Sequence, residues 1–161
     1  MKKCLFTLLL FCVCCMSFAQ NVDGLLDKFS SEKNAECVKV SRLIMSLGSM
    51  FVGQDEDAWI LRKIKSIRVL DLDDCQTNVK ERFHREVDKL CFNGYDELIR
   101  VNDEGEKVRV LMRMKKETIC ELLLVCAGKE DCAIVQINGK FTKDDIDKLV
   151  NQETGKKHGR S

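Results

Sequence analysis

The stretch that decides the fold is residues 119–138, which read ICELLLVCAGKEDCAIVQIN. Its first part, Ile119 to Cys126, is the most apolar of the segments that read as strands. A short, continuous apolar run bounded by turn residues is typical of a strand buried on both faces, so we place it centrally. The turn-forming residues 127–131 (AGKED) connect it to a second strand, Cys132 to Asn138, which we expect to pair with it in antiparallel orientation.

Two further strands precede this pair and extend it into a meander. Tyr95 to Asn102 and Lys107 to Met114 flank Asp103-Glu104-Gly105, a connection of the length and composition of a tight hairpin. Asn93-Gly94 is a turn signal just before them. The sequence therefore predicts four consecutive antiparallel strands in the C-terminal half.

The remaining segments alternate between helical and strand patterns. Helices are predicted where apolar residues recur every three to four positions, and strands where they alternate. The predicted helices are Val22–Phe29, Arg42–Val52, a short helix capped by Asp57 that carries Trp59, Ile60 and Ile64, Thr77–Phe92, and Lys143–Val150, where Thr142 and Asp145 resemble a capping box. The predicted strands are Glu36–Ser41 and Ile67–Leu72.

This order of elements predicts a single α+β domain over residues 20–150. We expect a mixed sheet with a C-terminal antiparallel meander and helices packed mainly on one face. Residues 151–161 are polar and are expected to form a frayed tail. With 161 residues, 45% hydrophobic and 33% charged, the composition excludes a disordered tail, a collagen-like repeat and a polytopic membrane protein.

The first nineteen residues have the pattern of a signal peptide. Lys2 and Lys3 precede an apolar run, Leu5 to Met16, and Ser17-Phe18-Ala19 supplies small residues for cleavage after Ala19. The run spans roughly 18 Å as a helix, too short for a hydrocarbon core of about 30 Å, so we favour cleavage over a retained anchor. No small residue precedes the cysteines of this run as a lipobox requires. We therefore expect an exported protein with no transmembrane span in its mature chain.

Cysteine usage allows a disulfide in the exported chain. Cleavage removes four of the ten cysteines and leaves six, an even number that permits pairing. Cys126 and Cys132 bracket the 127–131 loop and are candidates for a cross-strand bridge. The alternative is that both are small buried hydrophobic residues, as free cysteine often is. The six are Cys37, Cys75, Cys91, Cys120, Cys126 and Cys132.

One helical cluster has the composition of a metal site. Glu81, His84 and Asp88 are spaced three and four residues apart and share one face of the predicted long helix. Three ligands of these types can hold a metal ion. The surrounding residues are of mixed charge, however, which is typical of a solvated surface, so we assign no metal.

A row of basic residues marks a candidate interaction face. Lys107, Arg109 and Arg113 alternate along one predicted strand and therefore lie on one face. Such a row can bind an anion or an acidic partner, or can pair with Glu97 and Glu121 on neighbouring strands. Surface ion pairs are common, so the structural interpretation is favoured.

No pattern in the sequence indicates a particular chemistry. The G-x-S-x-G, S-x-x-K and H-E-x-x-H patterns of hydrolytic enzymes are absent, as are G-x-G-x-x-G and Walker loops. A net charge of +1 and few aromatic residues give no basis for nucleic-acid binding. We expect neither a cofactor nor a nucleic-acid partner.

Four segments in order resemble the domain of unknown function 4252 family, small exported proteins of Gram-negative bacteria. They are CVKVSRLIMSL, LRKIKSIRVLDL, YDELIRVNDEGEKVRVLMRM and ELLLVCAGKEDCAIVQINGKFTKDDIDKL, and the resemblance covers roughly residues 22–150. The family has no established activity, so the resemblance implies no catalytic residue. It implies a periplasmic or envelope-associated protein, in a family whose genes sometimes accompany extracytoplasmic-function sigma factors.

The function we expect is therefore binding and not catalysis. A non-enzymatic envelope protein would bind another envelope protein or a surface component through its sheet face or edge, in envelope stress or sensing. The alternative is a thiol-dependent or metal-binding enzyme of the periplasm.

Overall fold

The structure is a computed structural model that describes residues 21–41, 58–103 and 105–148. Within these residues the chain forms one six-stranded sheet with helices against it. The strands are β1 (Glu36–Ser41), β2 (Ile64–Asp71), β3 (Asp96–Asp103), β4 (Glu106–Lys115), β5 (Thr118–Ala127) and β6 (Cys132–Phe141). The helices are α1 (Val22–Phe29), α2 (Ala58–Leu61), α3 (Thr77–Lys89) and α4, of which residues 143–148 are described. The α+β class is thus confirmed.

The strand order is β1-β2-β6-β5-β4-β3, and every pairing is antiparallel. The prediction of a mixed sheet is therefore wrong, because the described strands contain no parallel pair. A strand, a helix and a further strand usually produce parallel neighbours. Here β2 and β3 do run in the same direction, but three strands separate them, because α3 carries the chain to the far edge of the sheet. β5 lies between β6 and β4, as its apolar sequence predicts.

The main core lies between α1, α3 and one face of the sheet. Phe29 of α1 and Phe83 of α3 are fully buried, and their rings meet edge-to-face with centroids 5.3 Å apart. Leu111, Leu123 and Val125 supply sheet side chains to this core. We call this the helix-covered face.

The opposite face of the sheet carries a smaller core at one end. Ile64, Ile119 and Phe141 are buried there, with side chains of α2 and α4 packed against them. The backbone N–H of Asp145 donates to Thr142 Oγ1 at 3.3 Å, and Asp145 Oδ2 accepts from the backbone N–H of Thr142 at 2.7 Å. The predicted capping box is therefore present at the start of α4.

The bounds of some predicted elements match the structure and those of others differ. The helix that begins at Val22 and the strand that begins at Glu36 have the predicted bounds, whereas α3 ends at Lys89 instead of Phe92. Ile64, expected in the helix after Asp57, begins β2 instead. The predicted helix Arg42–Val52, the signal peptide 1–19 and the tail 151–161 lie outside the described residues.

Candidate functional site

The basic row of β4 is held by acidic partners on the helix-covered face. Lys107 Nζ lies 2.7 Å from Asp88 of α3, and Arg109 Nε lies 3.1 Å from Glu97 of β3. The guanidinium of Arg113 contacts Glu121 of β5. The pairings expected with Glu97 and Glu121 are thus present, and the structure adds Asp88.

Arg100 joins this row, although the sequence analysis did not single it out. In the β3–β4 register Arg100 lies directly opposite Arg109. Glu97 accepts hydrogen bonds from both guanidiniums, at 2.6 and 2.7 Å from Arg100 and at 3.1 and 3.2 Å from Arg109. These bonds, first from Arg100 and then from Arg109, lower the pKa of the Glu97 carboxyl to about 2. Two arginines share one carboxylate, which leaves this pair with an excess of positive charge.

A small cleft lies beside these residues, between the end of α3 and residues 100–102 of β3. Its volume is about 170 Å³, below the ~300–1,000 Å³ of drug-sized ligand pockets. It is therefore large enough for a side chain or a small anion. The lining residues are Val87, Asp88, Arg100, Val101, Asn102, Lys107 and Arg109.

Aromatic rings support two of the guanidiniums. Arg109 lies over the ring of Phe92, 4.2 Å from its centroid, and Arg113 lies 4.9 Å from the centroid of Tyr95. Each contact holds an arginine at a fixed position on the sheet and adds cation–π attraction.

Arg113 belongs to a polar network centred on Glu121, which Gln136 Nε2 extends to Asp23 of α1 at 3.2 Å. The Glu121 side chain is 1% exposed, and it accepts hydrogen bonds from the Tyr95 hydroxyl at 2.6 Å and from Gln136 Nε2 at 2.8 Å. A buried carboxylate needs such partners to remain ionised. These contacts occupy both Glu121 oxygens, so we interpret Arg113 as a structural residue and not as part of a binding site.

The edge strand β3 exposes large apolar side chains. Leu98, Ile99 and Val101 are 46%, 53% and 46% exposed. In register, Ile99 pairs with Val110 and Val101 with Val108. Because these four residues alternate with Arg100 and Arg109, they lie on the face opposite the helix-covered face. We call Ile99, Val101, Val108 and Val110 the apolar strip.

Comparison with known proteins identifies the family. The model of the family described as Domain of unknown function (DUF4252) matches residues 29–149. The chain belongs to this family. No curated protein matches, and no solved structure matches either.

In this DUF4252 protein the Cys126–Cys132 bridge proposed from the sequence is not formed. Both residues are free thiols. Cys126 pairs in register with Ala133, and Cys132 with Ala127. Cys126 is therefore one position out of step with Cys132, and the two side chains lie on opposite faces of the sheet.

Cys132 has an imidazole neighbour, but the pair is not arranged for nucleophilic chemistry. His84 Nε2 lies 2.7 Å from the carbonyl oxygen of Gly128 and 3.4 Å from Cys132 Sγ. A ring nitrogen that donates to a carbonyl carries the proton itself and cannot accept one from the thiol. Burial, chiefly, raises the pKa of Cys132 to about 11. The thiol is therefore protonated at neutral pH and is a poor nucleophile.

The candidate metal residues on α3 have separate surroundings. His84 is directed to Gly128 and Cys132, while Asp88 binds Lys107. Glu81 is exposed. Over the described ranges, no group of three histidine, cysteine or carboxylate residues is placed to hold a metal ion, and no helix is long and apolar enough to cross a membrane.

Proposed function

We propose that this DUF4252 protein is an exported, non-enzymatic interaction module of the cell envelope. Its partner would be another envelope protein or a surface component, bound in envelope stress or sensing. The leader sequence supports export, and the β3 edge supports binding.

The observation that carries this proposal is the cluster of exposed apolar residues on β3. Leu98, Ile99 and Val101 lie within four positions of one edge strand. Contiguous apolar surface on a soluble domain usually marks an interaction site. Asp96 and Asp103, exposed at the two ends of the same strand, supply the polar rim that protein interfaces combine with an apolar centre.

The alternative of a thiol-dependent enzyme has less support from the described residues. Burial raises the pKa of Cys75, Cys126 and Cys132, which opposes thiolate formation. A reactive cysteine is typically exposed and of lowered pKa. No observation here favours the enzyme over the binding protein.

Site-specific photo-crosslinking in the native envelope tests the proposal. A photo-crosslinking residue in place of Val101 should give a discrete adduct. Mass spectrometry identifies the partner in the adduct, and the complex is then reconstituted from the two purified proteins. The matched control is the same residue at Glu81, exposed on α3. Adducts of equal yield at both positions, or none at either, would contradict a docking surface at β3. Unchanged envelope-stress transcription in a deletion strain would contradict the stress role.

A further inference from the structure

The second edge of β3 has no strand beside it among the described residues. β3 ends the sheet order, and β4 is its one neighbour among the described strands. An edge strand carries a row of unpaired N–H and C=O groups and can add another strand. Natural edges are often protected by proline, by lysine, by a β-bulge or by shortness. β3 has eight residues, DELIRVND, with neither proline nor lysine, and its bulge lies between Glu97 and Ile99, before the Arg100–Asp103 half of the edge.

The helix-covered side of this edge requires negative charge. Arg100 and Arg109 are direct cross-strand neighbours, and like charges in that position repel. Glu97 is the carboxylate that forms salt bridges with both arginines. The Arg100 side chain is 63% exposed and forms one wall of the 170 Å³ cleft. A residue placed opposite Arg100 on an added strand would extend the Arg109–Arg100 row, where a carboxylate would relieve the repulsion.

The opposite side of the same edge requires apolar contact. Ile99 and Val101 flank Arg100 in sequence and lie on the other face, within the apolar strip. Residues that flank the carboxylate on an added strand would lie beside Ile99 and Val101. Strand alternation thus links the two requirements in one ligand.

From this juxtaposition we infer that β3 accepts an extended strand from a partner protein, in which acidic residues alternate with apolar ones. The inference rests on the proposed function and specifies its mode, β-strand addition. Main-chain hydrogen bonds to the free edge supply affinity, and the alternating side chains supply specificity.

A second copy of this chain fits the requirement less well. The other edge strand, β1, reads ECVKVS. When its Val38 and Val40 face the apolar strip, alternation puts Lys39 on the arginine side. Positive charge would then meet Arg100, so β1 of a second copy is an unsuitable donor, and charge complementarity favours an acidic strand of a different protein.

Peptide binding to the purified protein tests the inference. The probe is a fluorescent, end-blocked nonapeptide of alternating valine and glutamate, followed by anisotropy. We expect saturable binding that weakens with salt, and at least tenfold weaker binding of the valine–lysine peptide. Equal binding of the two peptides, or none of the acidic one, would overturn the inference.

Backbone methylation separates strand addition from side-chain docking. Alternate residues of an extended strand direct their N–H groups to the same edge. N-methylation of all valines therefore blocks one edge of the peptide, and N-methylation of all glutamates blocks the other. At least one of these peptides should lose binding tenfold. Full binding of both would overturn strand addition.

Variants assign the site on the protein. Arg100→Glu should lower the affinity for the acidic peptide at least tenfold, and Arg100→Gln should lower it less. Arg85→Glu is the matched control, because Arg85 is exposed on α3. Equal losses for Arg100→Glu and Arg85→Glu would contradict the site. A concentration-dependent dimer that competes with the peptide would assign the edge to a second copy and overturn the inference.

This test is separate from that of the proposed function. If the Val101 crosslink yields a partner while no peptide binds, β3 is a docking surface without strand addition. If neither gives a signal, both proposals fail.

Discussion

Arg113 on β4 and Glu121 on β5 lie directly opposite each other, and the guanidinium contacts a carboxylate that is almost fully buried. Tyr95 and Gln136 complete the coordination of that carboxylate. The network joins β4, β5, β6 and the turn before β3, and so holds the edge strand in place against the sheet. We therefore expect this network to contribute to the free energy of unfolding, which a mutation at Glu121 can measure.

Glu121→Ala should lower the free energy of unfolding by about 2–3 kcal/mol, because the half-buried Tyr95 hydroxyl and the buried Gln136 amide lose the acceptor that they share. Urea unfolding measures the change. Glu117→Ala, in the exposed β4–β5 turn, is the control and should stay within about 0.5 kcal/mol of the parent. Equal losses in the two variants would show that the network does not stabilise the fold.

Asp145→Asn should change how stability depends on pH. Burial alone raises the pKa of Asp145, but hydrogen bonds from Lys63 and Thr142 outweigh it, and the pKa lies below its usual range. The ionised form is therefore favoured by folding. Its stabilisation is present above about pH 4, the ordinary carboxyl pKa, and is lost as the pH falls through the folded pKa.

Unfolding measured between pH 2 and pH 7 should accordingly show Asp145→Asn least stable relative to the parent at neutral pH, with the difference shrinking in acid. Asp147→Asn, exposed on α4, is the control. A gap between Asp145→Asn and the parent that is constant with pH would refute the assignment.

The cysteines should label in the order of their exposure. Cys37 and Cys91 are exposed, whereas Cys75 and Cys132 are buried. Alkylation of the native protein, followed by peptide mass spectrometry, should modify Cys37 and Cys91 within minutes and Cys132 only after unfolding. The high pKa of Cys132, about 11, adds to this protection. A Cys126–Cys132 crosslink in the unreduced protein would contradict the register of β5 and β6.

Gly139→Ala should destabilise the protein by about 1–3 kcal/mol, the usual cost of overpacking. A Cβ atom at this position would lie 2.3 Å from Cε2 of Phe141 and 2.8 Å from the backbone oxygen of Lys63. The second contact cannot be relieved by a side-chain rotation. Thermal unfolding measures the loss, and Lys140→Ala, at an exposed neighbour, should have little effect. A Gly139→Ala protein as stable as the parent would show that the backbone shifts at no cost to accommodate the added Cβ atom.

Local patterns predicted the elements well, and long-range placement poorly. The apolar spacing of Val22–Phe29 and the alternation of Glu36–Ser41 predicted α1 and β1 at their exact bounds. Such signals depend only on residues a few positions apart. The neighbours of β2 depend on where α3 delivers the chain, which no local pattern encodes, so the mixed sheet was wrong.

The site was predicted in part for the same reason. Alternation placed Lys107, Arg109 and Arg113 on one face, and the charges of Glu97 and Glu121 suggested their partners. The role of Arg100 depends on the β3–β4 register, which a β-bulge between Glu97 and Ile99 shifts. The proposed Cys126–Cys132 bridge failed at a similar point, since a change of one residue in register reverses the face of a side chain.

The placement of β2 beside β6 has a consequence for the timing of folding. During synthesis, β2 emerges with β1 as its only available neighbour, and its second neighbour, β6, ends at Phe141 of a 161-residue chain. The sheet therefore cannot close around β2 until the chain has been made as far as Phe141. Until then, the edge of β2 that faces away from β1 carries unpaired N–H and C=O groups and can pair with another chain.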